Sequence, residues 1–266
     1  FINPSLTWFG ERATVNVSYS HRNYSTPFDR GTIFDLNTGH AVNVDRKTRF
    51  DEPFNITDGY SDLAQLNAEY RLSDAWTARF DYSYSQDHYN DDQARVMAYD
   101  SATGNLTRRV DATHGSTQKM HSSRADLQGN VVIGGFYNEI LTGLAYENYD
   151  LLRTDMIRCK NVKGFNIYNP VYGTVGKCSS ASASDSDQRI QQESYAGYVQ
   201  DALYLTDKWI AVAGVRYQYY TQYAGKGRPF NVNTDSSDQK WTPKAGLVYK
   251  LTPSVSLFGN VAQSFM

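Results

Sequence analysis

The sequence predicts an all-β fold, an antiparallel transmembrane β-barrel with about ten strands in this chain. Three observations support this prediction. Apolar and polar side chains alternate along many segments, and short turns alternate with long polar connections. No segment approaches the roughly 18 consecutive apolar residues that a membrane-spanning helix needs.

The clearest alternation begins at Trp76 and continues for ten residues. Side chains of a strand point to opposite faces with period two, so this segment has one apolar face and one polar face. The apolar set is Trp76, Ala78, Phe80, Tyr82 and Tyr84, and the polar set is Thr77, Arg79, Asp81, Ser83 and Ser85. Similar patterns occur at residues 13–20, 64–72, 124–131 and 211–219.

The connections between these segments are of two kinds, as in a membrane barrel with short turns at one rim and long loops at the other. Tight turns are predicted at residues 9–12, 73–75, 133–138, 206–208 and 252–254. Polar connections are predicted at residues 27–59, 100–105, 154–192 and 223–239. If the tight turns are periplasmic, the first strand, 3–8, runs inward and the last, 255–264, runs outward. Because a complete bacterial barrel begins and ends on the periplasmic side, we interpret residues 1–266 as part of a larger barrel.

Composition agrees with a membrane-exposed sheet and argues against other classes. Tyr occurs 21 times in 266 residues, and Tyr and Trp favour the two membrane interfaces. The net charge of −2 argues against a nucleic-acid-binding surface. A β-rich carbohydrate-binding or sandwich domain is also rich in aromatic residues and is the alternative fold.

No enzyme active site is predicted. Nucleophilic catalysis needs a Ser or Cys beside a base that a third group holds. His114 and Ser116 supply only two of these groups, so an outer-membrane hydrolase is a minor alternative. We predict neither catalytic nor metal-binding residues, since the CxxC and HxxxH spacings of metal sites are missing from the sequence.

Several segments resemble TonB-dependent ferric-siderophore receptors. Residues 241–265, WTPKAGLVYKLTPSVSLFGNVAQSF, look like paired strands of that family. YAGYVQD at 195–201, with Trp209 and GVRY at 214–217, resembles the preceding strand pair. Three further segments, residues 3–8, 29–32 and 166–171, are similar to receptors of the ferrichrome and ferrioxamine type. Taken together, the resemblance extends over the whole chain.

The resemblance implies a receptor of the bacterial outer membrane that takes up ferric siderophores, energised through TonB. In that family a barrel of about 22 strands encloses an N-terminal plug. Residues 1–266 would be a partial barrel domain that supplies barrel wall and extracellular loops, with the plug domain and remaining strands absent. The alternative is a passive porin-like or sugar-specific outer-membrane channel, whose wall is a closed antiparallel barrel of the same kind.

The expected partners follow from the same resemblance. The transported ligand would be a ferric siderophore, and no covalently bound cofactor is expected. TonB would act through the missing N-terminal region, and outer-membrane lipid would surround the wall. We expect no nucleic-acid partner, and we expect the full-length protein to be a monomer.

Candidate ligand-binding residues lie where strands meet the predicted outer loops. A siderophore encloses its iron, so recognition would rest on aromatic walls with a few polar donors. The candidates are Tyr24, Phe28, His88, Tyr89 and Tyr99. His88 is preferred because it is assigned to the lumen-facing side, opposite Trp76. Any of the five could instead be a girdle aromatic that faces lipid.

Cys159 and Cys178 lie in the same predicted outer loop. Two thiols in one loop of an exported protein predict a disulfide. Their Cα atoms should then be roughly 4.4–6.8 Å apart. A metal-binding pair is the competing interpretation.

The tight turn at residues 73–75 also predicts a strand register. It places Glu69 opposite Arg79 and Asn67 opposite Asp81, on the polar face. Opposed residues have Cβ atoms about 4.5–5.5 Å apart, so Glu69 and Arg79 should form an ion pair. In a full receptor this charged row would face the plug, either as a docking surface or as a solvated wall.

Asp201 is an exception to the alternation. If Leu205 pairs with Trp209, the Asp201 carboxylate falls on the apolar side. We expect either a bulge there or a position close to the periplasmic rim, and the sequence leaves both open.

Overall fold

A computed structural model describes residues 1–178 and 183–265. Ten strands form one antiparallel sheet in chain order, and the sheet is not closed within the described residues. These strands are β1 Ser5–Phe9, β2 Ala13–Pro27, β3 Ile56–Arg71, β4 Trp76–Asp100, β5 Asn105–Ile133, β6 Phe136–Arg153, β9 Gln188–Tyr204, β10 Trp209–Lys226, β11 Asn231–Thr252 and β12 Val255–Ala262. Two short strands, β7 Met156–Arg158 and β8 Val162–Asn166, pair with β5. In the part of the chain that the structure describes, no helix has the length and apolar character to cross a membrane.

The turns that were predicted to be tight all lie at one rim of the sheet, where the strands end. The other connections, which include both long ones, lie at the opposite rim. The predicted loop at residues 223–239 is wrong, because β10 and β11 stay paired until a turn at residues 227–230. The predicted loops 27–59 and 154–192 are also too long, since β3 begins at Ile56 and β9 at Gln188. Strands that continue beyond a bilayer meet water on both sides, so their polar sequences resemble loops.

The two faces of the sheet and the predicted register are confirmed. Glu69 lies opposite Arg79, and the Arg79 Nε atom is 2.9 Å from Glu69 Oε2. Asn67 Nδ2 donates to Asp81 Oδ1 at 2.7 Å. We call this side the lumen face. The opposite side, the apolar face, carries Trp76, Ala78, Phe80, Tyr82 and Tyr84 beside Ala64, Leu66, Ala68 and Tyr70.

Asp201 lies on the apolar face, opposite Ile140 on one side and Ala213 on the other. The pairing of β9 has no register shift at this point, so the expectation of a bulge is wrong. β9 ends soon afterwards, at Tyr204, at the rim of the tight turns. The position close to the rim is confirmed. The Oδ1 atom of Asp201 is buried there without a hydrogen-bond partner among the described residues.

Strands β4 and β5 are 25 and 29 residues long, whereas about 9–11 residues cross a bilayer. Both strands therefore extend beyond the membrane at the rim with the long connections. The connections at residues 28–55 and, in its described part, 154–178 fold onto this extension and bury two apolar clusters. One contains Phe50, Leu106, Phe165 and Ile167, and the other contains Ala94, Val110 and Val175.

A buried ion pair holds both connections against β5. Arg108 and Glu52 have side chains that are 0% exposed, and Arg108 Nη2 is 2.6 Å from Glu52 Oε1. Arg108 Nη2 also donates to Thr174 Oγ1 at 3.1 Å, and the Gly173 amide donates to Glu52 Oε2 at 2.6 Å. The guanidinium lies 4.0 Å from the Phe165 ring centroid. Glu52 belongs to the first connection and Thr174 to the second, so the ion pair joins both to the sheet.

The predicted disulfide is confirmed. Cys159 and Cys178 are bonded with their Cα atoms 5.9 Å apart, which closes part of the second connection. The Cys159 amide donates to the Val110 carbonyl at 2.8 Å, so the disulfide is anchored directly on β5.

A charge on the apolar face should destabilise the full-length protein. We expect Phe80→Arg to lower the free energy of unfolding in lipid vesicles by about 2–4 kcal/mol, because the new guanidinium would face acyl chains. The control is Ser83→Arg, which lies on the lumen face of the same strand and should change stability by less than about 1 kcal/mol. Denaturant titration measures both, and equal losses would contradict the assignment of faces.

Breaking the buried ion pair should loosen the long connections. Arg108→Met leaves the buried Glu52 carboxylate without its counter-charge, which costs about 3–5 kcal/mol. We expect faster proteolysis within residues 28–55 and 154–187 of the full-length protein, while the membrane-spanning strands stay protected. The double variant Arg108→Met/Glu52→Leu removes both charges and should restore most of the protection. A double variant as sensitive as the single one would show that the ion pair is not the anchor.

Candidate functional site

A pocket of about 460 Å³ opens on the lumen face near the rim with the long connections. Side chains at alternate positions of β4 form its central wall. They are Tyr89, Asp91, Gln93 and Arg95. The register shift at this point adds Gly115 to β5 and no residue to β4. These four side chains therefore stay on the same face as Arg79 and Asp81.

Three of the five predicted ligand-binding residues meet in this pocket. They are Tyr24, Phe28 and Tyr89. The Tyr24 hydroxyl donates to Asp87 Oδ1 at 3.1 Å, and the Tyr89 hydroxyl accepts from Arg153 Nη2 at 3.0 Å. Both rings are thereby held at the pocket wall by charged neighbours.

The assignment of His88 to the lumen side is wrong. No residue is inserted into β4 between Trp76 and His88. Their side chains are separated by an even number of positions and share the apolar face. There His88 stacks on Tyr60, with ring centroids 5.1 Å apart, and its Nδ1 lies 2.9 Å from Thr117 Oγ1.

Tyr99 also lies outside the pocket. It packs against the buried cluster of Phe50, Leu106, Phe165 and Ile167, under the connections that cover the strand extension. Its position at a strand end was predicted correctly, since β4 ends at Asp100 and the turn to β5 follows. Because β4 and β5 extend beyond the membrane, Tyr99 is packed beneath the connections and does not face the pocket.

Charged residues supply much of the pocket lining, and none of them was predicted. Arg95 Nη1 is 3.2 Å from Asp111 Oδ2. Asp91 is buried and accepts from the Thr113 amide at 2.8 Å and from Gln93 Nε2 at 3.1 Å. The alternation of Asp91, Gln93 and Arg95 along β4 was the sequence signal that could have revealed them.

Arg30 joins the pocket from the first long connection. Its Nε donates to Gln93 Oε1 at 2.7 Å, and its guanidinium lies 5.3 Å from the Phe28 ring centroid. Desolvation and the neighbouring Arg95 charge lower the pKa of the Arg30 guanidinium from its usual value. An anionic group in the pocket would relieve this repulsion.

Two residues of the pocket lining carry a donor without a partner among the described residues. These buried donors are Arg153 Nε and Thr57 Oγ1. An unpaired buried donor costs about 1–3 kcal/mol, which a ligand oxygen would recover. Within residues 1–178 and 183–265, no three His, Cys, Asp or Glu side chains are grouped as metal ligands. The pocket thus offers aromatic rings, guanidinium groups and a hydroxyl.

An open sheet of two-faced strands, with a lumen-side pocket under long outer connections, defines a segment of a bacterial outer-membrane β-barrel. The family model described as "TonB dependent receptor-like, beta-barrel" matches residues 2–266. The chain belongs to this family of TonB-dependent receptors, whose members are transporters and not enzymes.

Among curated proteins, the chain is similar to the metal-pseudopaline receptor CntO of Pseudomonas aeruginosa. With the protein of strain PAO1 it shares 27% identity over an alignment of 274 positions, which covers 99% of this chain and 38% of that receptor. An uncharacterized TonB-dependent receptor of Haemophilus influenzae is 31% identical over 106 residues, covering 39% of this chain and 31% of that protein. The chain spans 34% and 38% of the two CntO sequences that it matches.

Solved structures show the same fold. The closed form of the ferric-catecholate import receptor Fiu from Escherichia coli K12 matches with a TM-score of 0.81 and 17% identity. The match covers 98% of this chain and 42% of Fiu. BauA, the ferric preacinetobactin receptor of Acinetobacter baumannii, matches with a TM-score of 0.81 and 20% identity, over 97% of this chain and 38% of BauA.

A side chain at Gly59 should distort the pocket wall. A Cβ atom there would lie 2.9 Å from the Tyr24 hydroxyl and 2.9 Å from Tyr89 Cα, and it would overlap the His88 carbonyl. We expect Gly59→Ala to destabilise the full-length protein by about 1–3 kcal/mol, measured by thermal unfolding. The control Gly176→Ala adds a methyl group in open space and should change little. Equal stability of the two variants would contradict the close approach of β3 and β4.

Proposed function

We propose that the full-length protein is an outer-membrane receptor that takes up a metal chelate of the siderophore class, energised through TonB. The observation that carries this proposal is the lumen-side pocket, with its aromatic walls and unpaired donors. Family membership supports active uptake over the alternative of a passive porin-like or sugar-specific channel.

The proposed ligand contacts follow from the chemistry of the pocket. A chelate that encloses its metal presents oxygen atoms and apolar or aromatic surface, so its receptor needs donors and rings. Tyr24, Phe28 and Tyr89 would form the walls, and Arg153 and Arg30 would bind the chelate oxygens. Tyr99 would contribute indirectly, because it packs against the buried cluster that holds the connections bordering the pocket.

A ferric siderophore is the first candidate ligand. The ferrichrome- and ferrioxamine-like segments support a hydroxamate, whereas the similar solved structures are named for a ferric catecholate and for ferric preacinetobactin. A metal–pseudopaline chelate is the second candidate, since CntO, the receptor named for it, aligns over 99% of this chain. The guanidinium groups of the pocket suit the anionic oxygens of any of these chelates.

Residues 1–266 would supply part of the wall and several outer connections of the whole receptor. The curated CntO relatives are much longer than this chain, and the sheet has two free edges within the described residues. The remaining strands would close a barrel of about 22. A plug and the TonB contact would come from the rest of the protein, which we propose acts as a monomer.

Growth of a receptor-deletion strain tests the proposal. The strain is complemented with the full-length gene under metal starvation and supplied with single chelates: ferric hydroxamates, ferric catecholates and metal–pseudopaline. We expect growth on one class, lost when TonB is deleted. Growth on none of the chelates, or growth that is independent of TonB, would overturn the proposed function.

Arg153 should contribute directly to chelate affinity. We expect Arg153→Gln in the full-length receptor to weaken binding about 10–100-fold, because a charged hydrogen bond contributes about 1.5–3 kcal/mol. Binding of the chelate that supports growth is measured on purified receptor by fluorescence quenching. His88→Gln is the control, since His88 lies on the apolar face of the same strand as Tyr89 and should leave affinity unchanged. If His88→Gln weakened binding as much as Arg153→Gln, the pocket would be assigned to the wrong face.

A further inference from the structure

A second concavity, of about 370 Å³, lies on the lumen face and is lined by residues of β5, β6, β9, β10, β11 and β12. Three cationic side chains and one carboxylate line it, and we call it the basic cleft. Its charged residues are Arg124, Asp126, Arg216 and Lys244. The cleft shares only the lumen face with the pocket described above, since the two have no lining residue in common.

The carboxylate of the cleft is already fully engaged. Asp126 Oδ2 is 3.0 Å from Arg124 Nε, and its other oxygen accepts from the Tyr198 hydroxyl. Gly143 makes room for this contact, because a Cβ atom there would lie 2.7 Å from the Tyr198 hydroxyl. Arg124 is engaged as well, with its Nη2 3.2 Å from Asp81 Oδ2.

Among the described residues, Arg216 and Lys244 have no carboxylate partner. The Arg216 Nε donates to Gln218 Oε1 at 3.3 Å, and its guanidinium lies 5.6 Å from the Tyr198 ring centroid. Neither Arg216 nor Lys244 forms an ion pair with any residue in 1–178 or 183–265. Arg216 lies opposite Thr242, so Lys244 is its diagonal neighbour on β11, about 7–8 Å away between backbones.

We propose that the basic cleft binds a carboxylate group between Arg216 and Lys244. Two neighbouring cations repel each other, and an anion between them removes that repulsion. The terminal nitrogens of Arg216 form the planar fork that matches a carboxylate, and Lys244 adds a movable second charge. The Gln200 and Gln263 amides and the Thr242 hydroxyl complete a polar surround.

The carboxylate has two possible sources. A metal chelate that carries carboxylates would bind the cleft after it leaves the pocket, so that the cleft would be a second binding site on the lumen wall. This source rests on the proposed function. Alternatively, a Glu or Asp side chain from the rest of the receptor chain would occupy the cleft permanently.

Citrate titration and thermal unfolding of the purified full-length receptor distinguish these sources. The test variant is Arg216→Gln/Lys244→Gln. The control is Lys240→Gln, which lies on the same face of β11 as Lys244 and outside the cleft. A charge-preserving swap, Arg216→Lys/Lys244→Arg, should behave like the wild type and shows that folding tolerates change at both positions.

If the cleft receives a carboxylate of the chelate, the wild type binds citrate, and the test variant loses at least about 10-fold in affinity with an unchanged melting temperature. If a side chain of the receptor fills the cleft, citrate does not bind there, and the melting temperature of the test variant falls by several degrees below that of the control. The proposal is overturned if the test variant matches Lys240→Gln in both measurements. Neither readout needs transport, so a failed growth assay would reject the proposed function without deciding this question.

Discussion

The bilayer permits only one side-chain parity along each strand, and the rest of the structure depends on this constraint. A charge that faces lipid costs about 2–4 kcal/mol at the midplane, far more than a cross-strand ion pair contributes. Phe80 must therefore face outward, which directs Arg79 and Asp81 into the lumen. The Glu69–Arg79 register follows, and both the pocket and the basic cleft lie on the face that parity makes polar.

Beyond the membrane this constraint ends and different interactions take over. The extensions of β4 and β5 contain register shifts near Tyr89 and Met97. Their apolar residues are buried under the connections, which the Arg108–Glu52 ion pair and the disulfide hold in place. The pocket lies at this transition. The membrane-spanning register orients Tyr24 and Tyr89, while the anchored first connection brings Phe28 and Arg30 to them.

Local patterns in the sequence predicted what the bilayer dictates. Strand faces, tight turns, the Glu69–Arg79 register and the disulfide all follow from alternation or short spacing. The paired residues 231–239 were predicted as loop, because water on both sides removes the alternation that identifies a strand. Arg30 and Arg153 could not be placed, since their contacts with Gln93 and Tyr89 join segments far apart in the chain. His88 was assigned to the wrong face, although the sequence alone shows that an even number of positions separates it from Trp76.

A nitroxide scan of residues 76–84 in the full-length receptor, reconstituted in lipid vesicles, measures this parity most directly. Electron paramagnetic resonance reports the accessibility of each label to oxygen, which partitions into lipid. We expect a period of two, with maxima at Trp76, Ala78, Phe80, Tyr82 and Tyr84 and minima at the residues between them. Maxima at Arg79 and Asp81, or a profile without period two, would contradict the assignment of the lumen face and of the sites built on it.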